Sequence, residues 1–102
     1  MDQNAVYGQV GNGGADHAYW GRPEDWPANQ VRPSYKLTAA APGSDLAGNY
    51  ASALAATSLA IGGTDAAYAA NLLAVARQLY DFAKNNRGIY SNSIADAAAF
   101  YK

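Results

Sequence analysis

Two stripes of large apolar residues, joined by a glycine pair, constrain this chain more than any other feature. Leu46, Tyr50, Leu54 and Ile61 recur at spacings of four, four and seven, which places them on one face of an α-helix. Tyr68, Leu72, Val75, Leu79 and Phe82 recur at four, three, four and three, a second stripe that needs a partner. Gly62-Gly63 ends the first helix and leaves room for only a short turn. The sequence therefore predicts an antiparallel αα-hairpin. Pro42-Gly43 breaks whatever precedes it, Ser44 is the expected N-cap, and Asp45 suits the positive end of the helix. Thr64 is the expected cap of the second helix, Lys84 and Arg87 suit its carbonyl end, and Gly88 is the residue expected just past it. Ser93 is placed to cap a short third helix or turn through Ala95, Ala97, Ala98 and Ala99 to Tyr101.

A hairpin of this kind must bury its stripes against something, and here composition enters. The 102 residues include 24 alanines, whereas Val, Ile, Leu and Phe together supply 16. Burial stabilises at roughly 25 cal/mol per Å², and an alanine has little side-chain area to bury. The expected core is thin. Residues 1–43 hold all four prolines, both tryptophans, the single His and the single Glu, with few periodic apolar positions. That half reads as a long irregular segment, a kind of loop that is uncommon unless functional or disordered. The expected class is all-α, with an irregular N-terminal segment ahead of the hairpin.

Several functions are excluded or disfavoured. Without cysteine there is no disulfide framework, zinc ribbon or thiol nucleophile. Seven basic against eight acidic residues, with no charge run, argue against a nucleic-acid or membrane-surface partner. No apolar stretch approaches the ~20 residues of a membrane span. Met1-Asp2-Gln3-Asn4 lacks the basic and apolar regions of a secretory signal.

The glycine cluster Gly8, Gly11, Gly13 and Gly14 does not make a phosphate loop. No lysine occurs before Lys36, and Asp16 stands where a dinucleotide fingerprint beginning at Gly11 needs Gly or Ala. Turn glycines are the better reading. The run Asp16-His17-Ala18-Tyr19-Trp20-Gly21-Arg22-Pro23-Glu24-Asp25-Trp26 is richest in chemistry. Asp16, His17, Glu24 and Asp25 follow no known metal-ligand spacing, and nothing fixes a serine beside His17. Two indoles among acids, a His and an Arg suit a sugar, because indole faces stack on pyranose rings while polar groups bond hydroxyls. The same run also suits a loop pinned by Trp20 and Trp26 onto the helices. Glycoside hydrolysis needs two carboxyl groups roughly 5–9.5 Å apart. With one Glu, and Asp at 2, 16, 25, 45, 65, 81 and 96 never forming Asp-x-x-Asp, no convincing acid/base pair is present.

Wording then adds what physics does not. Tyr7-Gly8-Gln9-Val10-Gly11, followed by Asp16-His17-x-x-Trp20-Gly21-Arg22-Pro23-Glu24, resembles glycoside hydrolase family 9, the endo-β-1,4-glucanases. The likeness continues through Arg32-Pro33-x-Tyr35-Lys36, Pro42-Gly43-Ser44-Asp45-Leu46-Ala47, Arg87-Gly88-x-Tyr90-Ser91 and Phe100-Tyr101, so it covers essentially the whole chain. The resemblance implies one internal part of an (α/α)6 barrel. Within residues 1–102 it assigns 1–43 to an active-site-face loop segment and 44–102 to a helical segment. It implies inverting hydrolysis of β-1,4-glucan, with the base aspartates upstream and the acid glutamate downstream of the residues present, and therefore no catalytic residue here.

Carried over by motif, His17 and Trp20 would line glucose-binding subsites, and Phe100 and Tyr101 would border the cleft. The implied partners are β-1,4-glucan or a cello-oligosaccharide and the remaining helices of the barrel, and the implied location is extracellular. No metal ligand or cofactor is expected in this chain, the calcium ligands of many members lying beyond it. Thr38, Asn49 and Ser91-Asn92-Ser93 depart from the acids common at those places in relatives. A carbohydrate-binding module or a purely structural helical piece, each without catalysis, are the alternatives.

Overall fold

A computed structural model describes residues 5–101. The elements run β1 (Ala5–Val10), α1 (Gly13–Ala18), β2 (Ser34–Thr38), α2 (Ser44–Ile61), α3 (Ala66–Asn85) and α4 (Tyr90–Ser93), with single 3-10 turns at Pro23–Asp25 and Ala97–Ala99. The hairpin of α2 and α3 is present as the stripes require, and Gly62 is the residue at which α2 ends.

The first 43 residues are not wholly irregular, and the class is mostly helical with a small sheet rather than all-α. β1 and β2 pair antiparallel, Val6 opposite Leu37, Tyr7 opposite Lys36 and Gln9 opposite Tyr35, with a register shift between Tyr7 and Gln9. Each strand has only five or six residues, and the shift at Gly8 breaks the two-residue period that would have announced β1. Val6 and Leu37 face inward while Tyr7 and Lys36 face out, the alternation a half-buried ribbon needs. Gly11, at φ +96°, turns the chain out of β1 and donates its amide to the Pro33 carbonyl at 2.7 Å. That backbone conformation favours glycine.

Two small cores result. Val6 packs with Ala47, Ala51, Leu79, Phe82 and Ala83, and the half-buried Tyr50, Leu54 and Val75 flank them. Beside it, Leu37, Ile94 and Ala97 form a second cluster with Tyr35, Leu46 and Tyr90 around it. The stripe of α3 is met at Leu72, Leu79 and Phe82, all buried. Tyr68 departs from it: in the first turn of α3, alongside the ending α2, its ring stays 53% exposed. In α2 the fully inward positions are Ala47 and Ala51, and the larger residues of the stripe straddle them. Alanine at the contact lets the helices approach closely. Ala47→Leu is accordingly expected to cost about 1–3 kcal/mol through overpacking, read as a lower urea midpoint at unchanged slope.

Four expected cap positions move. Gly43, not Ser44, is the N-cap of α2. The Ser44 hydroxyl is engaged elsewhere, donating to the Gly88 carbonyl and accepting from the Gly88 amide, both at 3.1 Å. It thus ties the start of α2 to the chain leaving α3. Asp65, not Thr64, caps α3, its Oδ1 accepting from the Tyr68 amide at 2.9 Å. The glycine turn continues through Thr64, whose amide donates to Ile61, so the second helix starts one residue later. Asn86 closes α3 on the Phe82 carbonyl, leaving Gly88 beyond the cap position expected of it. Ser93 ends α4 instead of starting a helix, and its hydroxyl donates to the Pro42 carbonyl. No helix among the described residues is long and apolar enough to cross a membrane.

Candidate functional site

The connection between β1 and β2 carries the His-x-x-Trp run, and a residue from the far end of the chain fastens its start. Asn12 caps α1, its Oδ1 accepting from the Ala15 amide at 2.9 Å, which aims its amide nitrogen at Asp96 Oδ1, also 2.9 Å away. The Gly13 amide donates to Asp96 Oδ2 at 2.8 Å, and the Gln9 side-chain amide donates to the same oxygen. One turn on, His17 Nδ1 lies 2.7 Å from the Gly13 carbonyl. A carbonyl only accepts, so Nδ1 carries a proton and, in the neutral ring, Nε2 is the acceptor. The Phe100 ring stacks on the imidazole, with centroids 4.7 Å apart and planes 11° from parallel. A Cβ on Gly13 would collide with the Phe100 ring, so glycine lets the two segments close this far.

The structure brings His17 and Phe100 into contact and leaves Trp20 and Tyr101 beside them in sequence but not in the stack. Tyr101 tilts against Tyr90, centroids 5.6 Å apart. Trp20 is fully exposed. Trp26 behaves differently: its ring takes the edge of Tyr19 at 5.1 Å, lies under the Arg32 guanidinium at 5.5 Å, and donates Nε1–H to the Gln30 carbonyl at 3.2 Å. Pinning by tryptophan therefore holds for Trp26, onto its own loop, and not for Trp20.

Arg32 also pairs with Asp16, an ion pair across the loop. Together with Tyr19, Gly21, Pro23 and Trp26 the pair lines a shallow hollow of about 330 Å³. A larger groove of about 440 Å³ runs between α2 and α3, lined mainly by small residues with Arg77, Tyr80 and Asp81 at its edge. Sequence reasoning missed the Asp96 anchor and the Asp16–Arg32 pair. Local spacing carries no signal for contacts between residues so far apart.

The acids present are largely committed. Asp16 faces Arg32, Asp25 makes a two-point contact with Arg22, and Asp45 accepts from the Tyr90 amide at 3.0 Å. Asp65 caps α3 and Asp96 takes three donors. Among the described residues no three or more of His, Cys, Asp and Glu converge. Partial burial pushes the Tyr90 phenol above its ordinary 10.0, and Tyr101, Asp45 and Tyr50 add to the shift. A raised phenol favours the neutral ring in the folded chain, so its stability is full below pH 10 and falls as pH rises through the folded value. Tyr90→Phe is expected to remove that alkaline step from a circular-dichroism titration.

The family model described as glycosyl hydrolase family 9 matches residues 1–102. The chain belongs to glycosyl hydrolase family 9. Similar family members include Endoglucanase 15 of Arabidopsis thaliana, 49% identical over 98% of this chain and 20% of that protein. Endoglucanase B of Cellulomonas fimi is 48% identical over 97% of this chain and 9% of its own length. The solved endoglucanase of the termite Nasutitermes takasagoensis superposes with a TM-score of 0.93 at 58% identity, over 98% of this chain and 23% of that one. A cellulase of C. cellulolyticum in complex with cellobiose gives 0.81 at 35% identity, covering 95% and 25%. The chain thus spans about a fifth of the length of the first curated family 9 relatives it matches.

Proposed function

We propose that this chain is a segment of an endoglucanase catalytic domain that hydrolyses internal β-1,4-glucosidic bonds of cellulose with inversion. Residues 1–43 contribute a loop segment on the active-site face, and residues 44–102 contribute a helical part of an (α/α)6 barrel. His17, Trp20, Phe100 and Tyr101 contact the glucan, and the catalytic acid and base are supplied by other parts of the polypeptide. The exposed ring set carries this reading. A fully exposed indole lies three residues from an imidazole already stacked on Phe100, and such faces suit the C–H surface of a pyranose.

Two further observations support it. The acids of the segment mostly serve ion pairs, caps and backbone amides, which agrees with an acid/base pair located elsewhere. Related proteins are endoglucanases by name, and one similar structure holds cellobiose. A polymer too large to enter a cell also suits an enzyme that works outside it.

Titrating cellohexaose into the isotopically labelled chain tests the contacts. Chemical-shift changes are expected at His17, the Trp20 indole, Phe100 and Tyr101. Changes confined to the groove between α2 and α3 would overturn the assignment.

A further inference from the structure

We propose that Asp96 is a positioning residue for His17, holding the imidazole in its Nδ1–H tautomer so that Nε2 accepts a hydrogen bond from a glucan hydroxyl. The inference rests on the reading of His17 as a glucan contact and deepens it. The Asp96 carboxylate receives the Gly13 amide at 2.8 Å, and the carbonyl of that same Gly13 faces His17 Nδ1 at 2.7 Å. One residue's two peptide groups therefore join the acid to the ring. Phe100 closes one face of the imidazole, and it lies four residues after Asp96 across the Ala97–Ala99 turn. Asp96 thus sets the hydrogen bond to His17 directly through Gly13 and the stacking partner through its own turn.

The donors around Asp96 have no freedom to accept instead. Asn12 is oriented by its cap on Ala15, Gln9 by its second bond to the Gly11 carbonyl at 3.1 Å, and Gly13 offers a backbone N–H. Three fixed donors converge on two oxygens. Asp96→Asn replaces one of those oxygens with an NH₂ group and sets donor against donor. Loss of a fixed partner at a half-buried site is costly, and the mismatch is expected to loosen the Gly13 contact that faces His17.

The measurement is the long-range ¹⁵N–¹H spectrum of the histidine in the full labelled chain at alkaline pH, with and without Asp96→Asn. The wild type is expected to show the Nδ1–H pattern. D96N is expected to shift it towards the Nε2–H tautomer, and to weaken cellohexaose binding by about tenfold, the loss of one well-placed hydrogen bond. An Nε2–H ring in the wild type overturns the proposal by itself, even if D96N fails to fold. An unchanged tautomer in folded D96N overturns the positioning role whatever happens to affinity. A shifted tautomer with no cellohexaose binding by the wild type leaves Asp96 positioning His17 and overturns only the glucan reading beneath it.

Discussion

Phe82→Ala is expected to lower the stability of this chain by about 3–5 kcal/mol, a large part of what a domain of this size possesses. Phe82 is buried in the contact between α2 and α3, among Ala47, Ala51, Leu79 and Val6. Three of the six buried members of that cluster are alanines, so one aromatic ring supplies an outsized share of the buried area. Its neighbours cannot collapse into the space it leaves, because alanines have no side-chain length with which to reach inward. Urea denaturation followed by helical ellipticity checks this, with Leu59→Ala as the comparison. Leu59 lies on the same hairpin but is 87% exposed, and its truncation is expected to move stability by no more than about 0.5 kcal/mol.

Trp20→Ala is expected to produce the opposite pairing of effects. Its ring makes no buried contact, being fully exposed, so the urea midpoint of the variant should match the wild type. Cellohexaose affinity should fall by about 2 kcal/mol, roughly thirtyfold, as for a tryptophan at the centre of a binding surface. Trp26→Ala provides the contrast. It removes a ring held by Tyr19, Arg32 and Gln30, so its main effect should be on the order of the 23–33 loop, and only secondarily on affinity.

The hairpin was legible because its signal is local: two stripes at helical spacing and a glycine pair between them. Leu72, Leu79 and Phe82 landed inside for that reason. The β-ribbon was not legible, because β1 and β2 stand more than twenty residues apart and β1 is interrupted at Gly8. The N-caps of α2 and α3 each lie one residue from the expected position, because Ser44 is engaged by Gly88 and Thr64 still belongs to the turn after α2. Residues bearing chemistry were named from motif wording, which carries identity but not geometry. Wording placed His17 and Phe100 together on one list. Only the fold shows their rings stacked, and shows Asp96 as the link between the loop and the C-terminal turn.

The most direct test of the central claim is calorimetric titration of the 102-residue chain with cellohexaose, with the recovered sugar analysed for shorter products. Heat of binding that is lost in Trp20→Ala, with cellohexaose recovered intact, is the expected result. Release of shorter oligosaccharides that Glu24→Gln abolishes would contradict it, since that would place a catalytic carboxyl within a segment read as supplying only glucan contacts.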